Sequence, residues 1–201
     1  MQIQDFNVGM LFTNCYVANC PETKEAIIID PGFDASNEAE QIVRYVDANK
    51  LKVKFIVNTH GHSDHIHGDK ILKRKYGVPI CIHPYDAPCL EGLGEDILPA
   101  NVLLEDKKLL KFGKMILRVM HTPGHSLGSI SLVGENLVFT GDTLFAGSIG
   151  RTDFQGGSDR DIKVSLEKLM RLPDDFVVYP GHGGFSTIGK EKRVNPFLLW
   201  L

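Results

Sequence analysis

The sequence has few cysteines and no long hydrophobic segment. Its four cysteines form no C-x-x-C pair, which predicts reduced thiols rather than a disulfide framework or a thiolate zinc site. The alternative is a Cys15–Cys20 or Cys81–Cys89 disulfide in an unusual redox compartment or in a hyperthermophile. No window approaches the roughly 18 apolar residues of a membrane span. The N-terminal "MQIQDFNVGM" has neither the basic start nor the apolar run of a secretion signal. The sequence therefore predicts a cytoplasmic protein with no membrane partner.

The sequence also has no excess of positive charge. Lys and Arg number 22 against 25 Asp and Glu, which gives a formal net charge of −3. Proteins that bind nucleic acid through its phosphates usually have a basic face, so we expect no nucleic-acid partner. At 201 residues and 43% hydrophobic content, the chain is long enough for one domain, spanning residues 1–201, with a substantial core.

Short apolar strands alternate with helices along the chain. "TNCYVANC", "EAIIIDPG", "VKFIVNTHG", "VPICIH" and "DFVVYPGHGG" are typical of strands. "GSISLVGENLVFTGD" predicts a hairpin that turns at Gly134–Asn136. Helices are predicted from Asp69 to Tyr76, before Gly77, and from Asp159 to Met170, capped by Ser158. This order indicates an α/β protein in which two sheets pack together with helices outside.

Histidines and aspartates follow several of these strands. Of the eight histidines, four lie in "NTHGHSDHIHGDK" together with Asp64. Later strand ends carry the others of interest, namely His121, His125, Asp142 and His182. Side chains at strand ends can converge on one point with small positional error. Neutral imidazoles and carboxylates together suit zinc, and also iron or manganese.

The motifs around these residues resemble those of the metallo-β-lactamase superfamily. "HGHSDH" has the H-x-H-x-D-H pattern of that family, and "TPGHS", "GDTLF" and "PGHG" follow in the family's order. "FAGSIGRTDF" and "GHGGFSTIGKEKRVNPF" are most similar to the glyoxalase II-like hydrolases. The resemblance implies a four-layer αβ/βα sandwich with metal ions at one edge, between the sheets. This sequence departs from full-length glyoxalase II, in which a C-terminal helical domain supplies most of the glutathione contacts. Only 19 residues follow His182, so we expect a single domain without that extension.

Carried over to this sequence, the resemblance implies two metal ions, most simply two Zn²⁺. The first ion would be held by His60, His62 and His125. The second would be held by Asp64, His65 and His182, and Asp142 would bridge both. His67, His83 and His121 lie outside the ligand pattern.

The implied activity is hydrolysis of a small-molecule thioester or ester by hydroxide that bridges the ions, with Asp64 orienting the nucleophile. A thiolate leaving group, with a conjugate pKa of about 8.5 if it resembles cysteine, departs without a general acid. This favours a thioester such as S-lactoylglutathione. By the same resemblance Arg151 would bind a substrate carboxylate, although an ion pair with Asp153 or Asp161 is an alternative. Phe154 and Phe185 line the substrate pocket or belong to the core.

Other activities of the same fold remain open. A mono-iron persulfide dioxygenase shares the H-x-H-x-D-H motif and a "GRTDF" segment. A promiscuous esterase, lactonase or β-lactamase is a third possibility. A metal-binding module without catalysis is disfavoured because all seven ligand positions carry the expected residue type.

Overall fold

In the computed structural model, residues 1–33, 36–93 and 100–199 are described. The first sheet within these ranges has its strands in sequence order. Strands β1 to β3 pair antiparallel, and β3 to β6 pair parallel. The strands are β1 (Gln2–Val8), β2 (Thr13–Asn19), β3 (Glu25–Ile29), β4 (Lys52–Val57), β5 (Ile80–Ile82) and β6 (Val102–Leu103).

The second sheet is formed by the later part of the chain, in the order β14-β13-β10-β9-β8-β7. Its pairs are antiparallel except for β10 and β13, which are parallel. A small hairpin, β11 with β12, stands apart from it. The strands are β7 (Leu109–Phe112), β8 (Met115–His121), β9 (Ile130–Val133), β10 (Leu137–Gly141), β11 (Leu144–Phe145), β12 (Ser148–Ile149), β13 (Val177–Pro180) and β14 (Ser186–Thr187).

Helices cover the outer faces of the sheets and connect the strands. None of those among the described residues is both long and apolar enough to cross a bilayer. A 3₁₀ helix spans Ala87–Leu93, and the α-helices are α1 (Ser36–Ala48), α2 (Ser63–Ile66), α3 (Asp69–Tyr76), α4 (Asp159–Leu169) and α5 (Ile188–Val194).

The hydrophobic core consists of three clusters, and side chains that alternate along a strand belong to different clusters. On β3, Ile28 faces the cluster that contains Ile42 of α1 and Leu72 of α3. Its neighbours Ile27 and Ile29 face the cluster between the two sheets. A third cluster places α4 and α5 against the outer face of the second sheet. Successive residues of a strand point to opposite faces, so the continuous apolar run "AIII" fits a sheet buried on both sides. Complete burial of each isoleucine contributes about 1.5–3 kcal/mol.

The local signals for two helices agree with their observed ends. Ser158 caps α4, since its Oγ accepts a hydrogen bond from the Asp161 backbone N–H. Gly77 ends α3 in the left-handed conformation, with φ of 67°. The predicted helix to Met170 ends one residue earlier, at Leu169, and Met170 is its C-cap.

The predicted α/β four-layer αβ/βα sandwich is confirmed, because helices, sheet, sheet and helices follow one another through the core. All four cysteines lie in the described ranges and are free, as predicted. The short β6, β11 and β12 and the helix α5 were not predicted. Their two to seven residues carry too little periodicity to be recognised.

Candidate metal centre

The seven predicted ligands lie just beyond the ends of four strands. The segment after β4 contributes four of them, two on its loop and two on the short helix α2. The segments after β8, β10 and β13 contribute one each. The structure brings all seven side chains to one edge between the sheets, and they are His60, His62, Asp64, His65, His125, Asp142 and His182.

Three imidazoles form the first group. Nδ1 of His62 lies 3.0 Å from Nε2 of His60 and 2.9 Å from Nε2 of His125. The His62 ring stands nearly perpendicular to both neighbouring rings, at 87° and 85°. Ligand nitrogens about 2.0–2.1 Å from one tetrahedral zinc ion are about 3.3 Å apart. The three nitrogens are therefore close to the spacing that one metal ion requires.

A carboxylate and two imidazoles form the second group. Nε2 of His182 lies 3.2 Å from Oδ2 of Asp64 and 3.3 Å from Nε2 of His65. Nε2 of His65 is 3.5 Å from the same carboxylate oxygen. This mixed nitrogen and oxygen set suits zinc, iron or manganese.

Asp142 lies between the two groups. Its Oδ2 is 3.5 Å from Nε2 of His125 and 3.5 Å from Nε2 of His182, one residue from each group. Its Oδ1 is buried without a hydrogen-bond partner among the described residues. Nε2 of His65 lies 3.4 Å from Oδ1. A buried carboxylate oxygen without a hydrogen bond is costly, and a bound cation would satisfy it. The donor set therefore fits two divalent ions that share this carboxylate.

The protonation states of the cluster also indicate a need for positive charge. Burial and the neighbouring imidazoles lower the pKa of His60 well below its usual value, so this ring is neutral. Burial also disfavours the charged form of His182, but the carboxylates of Asp142 and Asp64 outweigh it and raise the pKa of His182 to about 10. Burial alone would raise the pKa of Asp64. The hydrogen bond to His182 and the nearby imidazoles outweigh burial and lower this pKa below its ordinary value. Without metal, a proton on His182 offsets one of the two carboxylate charges.

The buried carboxylate of Asp30 contacts one histidine of the candidate metal centre on the side away from the other ligands. Its Oδ2 lies 3.1 Å from Nδ1 of His65 and accepts a hydrogen bond from Thr59 Oγ1 at 2.8 Å. Its Oδ1 accepts from the Thr59 backbone N–H at 2.7 Å. A carboxylate on the far nitrogen of a ligating histidine fixes the ring and raises its basicity. Asp30 was not among the predicted site residues, although it directly follows β3 and carries the same strand-end signal as the ligands.

Backbone carbonyls orient two more imidazoles. Nδ1 of His125 donates to the carbonyl of Arg151 at 2.8 Å, and Nδ1 of His182 donates to the carbonyl of Leu11 at 3.1 Å. Each bond leaves the Nε2 atom of the ring free to bind metal.

A second buried carboxylate, Asp86, joins the loops that carry the ligands. It accepts hydrogen bonds from the Gly61 N–H at 2.9 Å, from Ser126 Oγ at 2.7 Å and from the Gly128 N–H at 2.8 Å. The loop after β4 is thereby connected to the loop after β8. No sequence signal marks Asp86, because it follows no motif and its partners are distant in the chain.

An open cavity of about 500 Å³ lies over the cluster. Apolar side chains form much of its wall, and Arg151 and Phe154 lie at its side. Phe185 is outside this cavity and packs on Tyr179, with ring centroids 4.9 Å apart. The cavity is lined by Leu11, His62, Asp64, His125, Asp142, Phe145, Ile149, Gly150, Arg151, Phe154 and His182.

The three remaining histidines stay outside the ligand groups. His83 and His121 stack on each other, with ring centroids 4.1 Å apart and planes inclined by 6°. His121 Nε2 also donates to the carbonyl of Leu127 at 2.9 Å. His67 is exposed at the end of α2. The ligand roles of the other five histidines stay a prediction that the geometry supports.

Gly181 sets the space available to Asp142. A Cβ added at Gly181 would lie 2.0 Å from Asp142 Oδ1 and 2.8 Å from Cε1 of His65. We expect Gly181→Ala to displace this carboxylate and to lower metal content per chain, measured by elemental analysis, by at least about half. Gly184→Ala is the matched control, because nothing lies within 4 Å of its added Cβ. Equal metal content in the two variants would contradict this role of Gly181.

Sequence comparison finds relatives that match nearly the whole chain. An uncharacterized protein of Mycobacterium leprae is 40% identical over 98% of this chain and 99% of its own length. A protein of Haemophilus influenzae named hydroxyacylglutathione hydrolase GloC is 35% identical over 96% of this chain and 98% of its own length.

Solved structures share the fold and its topology. The BLEG-1 B3 metallo-beta-lactamase superposes with a TM-score of 0.89 at 35% identity, over 98% of this chain and 100% of its own. ETHE1 from Myxococcus xanthus has a TM-score of 0.86 at 30% identity, over 98% and 84%. TTHA1623 in a di-iron-bound form has a TM-score of 0.86 at 33% identity, over 97% and 100%. The sequence profile of the Metallo-beta-lactamase superfamily matches residues 8–182. Together with the site geometry, these matches show that the chain belongs to the metallo-β-lactamase superfamily.

Proposed function

We propose that this protein is a binuclear metal-dependent hydrolase that cleaves thioesters such as S-lactoylglutathione. The observation that carries the proposal is the position of Asp142 between two ligand groups. Its buried Oδ1 lies 3.4 Å from Nε2 of His65 and has no hydrogen bond among the described residues. The likeness to the protein named hydroxyacylglutathione hydrolase GloC supports the choice of substrate.

In this proposal His60, His62 and His125 would hold one zinc ion, Asp64, His65 and His182 would hold the other, and Asp142 would serve both. When bound, divalent ions would lower the pKa of a water molecule and polarise a substrate carbonyl. Oδ2 of Asp64 accepts a hydrogen bond from Thr13 Oγ1 at 3.3 Å, which helps to fix this carboxylate. Because the pKa of Asp64 lies below its ordinary value, we assign it to orienting the attacking water rather than to storing its proton.

The lining of the cavity favours a leaving group that needs no acid. Apart from the assigned ligands, the described lining residues are apolar side chains, a glycine and Arg151, whose guanidinium stays protonated. A thiolate departs without protonation at neutral pH, whereas the amine of an unstrained amide does not. A thioester therefore suits this cavity better than a peptide does.

The proposal includes a small-molecule partner and no nucleic acid or membrane. It also places the enzyme in the cytoplasm, where the four free cysteines would stay reduced.

The first test is metal content per chain of freshly purified protein, together with hydrolysis of S-lactoylglutathione. We expect near two zinc ions per chain and turnover that is lost when a chelator removes them and restored when zinc is added back. The same preparation should hydrolyse a model β-lactam or lactone far more slowly. Two bound ions without thioester hydrolysis would contradict the proposed substrate and leave the ligand set intact.

A mono-iron dioxygenase that oxidises a persulfide is the second candidate. Ligand atoms of His60, His65 and Asp142 lie within 4.8 Å of one another, and two histidines with one carboxylate suit non-haem iron. The di-iron-bound TTHA1623 shows that iron occurs in a protein of this fold. One iron per chain, oxygen uptake with glutathione persulfide and no thioester hydrolysis would favour this candidate.

A further inference from the structure

Arg151 at the side of the cavity is engaged by a carboxylate of its own chain. Its Nε donates to Oδ1 of Asp153 at 2.6 Å, and its Nη2 donates to Oδ2 of the same residue at 2.7 Å. The two parallel bonds use the geometry by which guanidinium groups bind carboxylates. Both side chains are exposed, at 57% for Arg151 and 66% for Asp153.

Phe154 connects this ion pair to the candidate metal centre. The guanidinium carbon of Arg151 lies 3.9 Å from the centroid of the Phe154 ring. That ring stands at 86° to the His62 ring, with centroids 5.6 Å apart. The main chain adds a second connection, since the Arg151 carbonyl accepts from His125 Nδ1. The guanidinium therefore lies beside the candidate metal centre, and Asp153 neutralises its charge.

Arg151 is also the one Lys or Arg among the described residues that line the cavity. A substrate carboxylate entering the cavity has this guanidinium as its basic side-chain partner there. To accept two hydrogen bonds from Nε and Nη2 of Arg151, the substrate carboxylate must displace Asp153.

We propose that Asp153 is a specificity-determining residue that competes with substrate carboxylates for Arg151. It thereby lowers the preference of the site for anionic thioesters relative to neutral ones. This inference rests on the proposed thioesterase function and on Arg151 as the substrate-binding cation. The substrate class that it favours is a thioester whose thiol carrier has no carboxylate near Arg151.

The test compares two thioesters with the same acyl group. S-lactoylglutathione carries two carboxylates, and S-lactoyl-N-acetylcysteamine carries none. We expect Asp153→Asn to raise kcat/KM for S-lactoylglutathione about two- to fivefold, because competition by an exposed ion pair is modest. The value for the neutral thioester should stay unchanged. The gain should shrink as salt is raised from about 0.05 to 0.5 M, because salt screens exposed charges.

Two further variants separate competition from a general effect of charge. Asp174→Asn removes the same charge from an exposed ion pair with Lys192, 2.6 Å long, outside the cavity lining. We expect it to leave both thioesters unaffected. Arg151→Gln combined with Asp153→Asn should lose the gain, since the cation is then absent.

A binding measurement keeps the inference separate from the proposed function. S-methylglutathione is a thioether with the same carboxylates, and calorimetry on the metal-loaded protein measures its Kd. Tighter binding to Asp153→Asn than to the wild type supports the competition, even if neither thioester is cleaved and the hydrolase proposal fails. Unchanged or weaker binding overturns it, as does an equal change in kcat/KM for the anionic and neutral thioesters.

Discussion

Replacing Asp142 by alanine should lower kcat/KM for thioester hydrolysis by at least about a thousandfold, equivalent to about 4 kcal/mol of transition-state stabilisation. The carboxylate lies within 3.5 Å of a histidine of each ligand group. Its loss removes the only residue assigned to both ions. Metal content should fall from near two ions per chain to one or fewer.

The Asp142 prediction requires that the variant still folds. Circular dichroism and urea unfolding of the metal-free protein would establish this, and Asp142→Asn provides a variant of equal size. Asp174→Asn is the control for loss of one carboxylate at an exposed pair. Full zinc content with hydrolysis near the wild-type rate in folded Asp142→Ala would contradict a bridging role.

Replacing Asp30 should weaken both metal binding and the fold. The Asp30 carboxylate is buried, bonds Thr59 twice and lies against Nδ1 of His65. We expect Asp30→Asn to lower zinc affinity about 10- to 100-fold, as loss of a carboxylate behind a ligating histidine does. Competition with a chromogenic chelator measures this affinity.

The alanine variant at the same position should show the larger effect on stability. Asp30 has φ of 50°, a conformation that asparagine tolerates and alanine does not. Asp30→Ala also removes the acceptor of the buried Thr59 N–H and one of the two partners of the Thr59 hydroxyl, so the free energy of unfolding should fall by about 3–5 kcal/mol. Urea unfolding of the metal-free protein measures this. Equal stability of the alanine and asparagine variants would show that the backbone conformation contributes little.

Much of the fold could be predicted because its strands are apolar and end in recognisable turns. The run "AIII" of β3 and the turn at Gly134–Asn136 are both local signals. The pairing of β10 with β13 is not local, since the β11–β12 hairpin, α4 and their connecting loops lie between them. Periodicity carries no information on such pairing. The family resemblance implied the two packed sheets but no particular strand pair.

Some residues of the candidate site could likewise be predicted from the sequence, and others could not. His60, His62, Asp64 and His65 lie in one short motif and are recognisable from it. Asp86 touches backbone and hydroxyl groups far away in the chain, the farthest by 42 positions, and its own neighbourhood has no motif. Asp153 was named as one of two partners for Arg151, and the two-bond geometry selects it over Asp161.

The distribution of the ligands between the sheets has a consequence for the supply of metal. The segment after β4 of the first sheet carries four of the proposed ligands, and segments of the second sheet carry the other three. Ions held there would bind only when both halves of the sandwich are docked, so they would stabilise the folded chain by mass action. A chelator would then act on this protein as a denaturant, and metal starvation would lower the amount of folded enzyme as well as its activity.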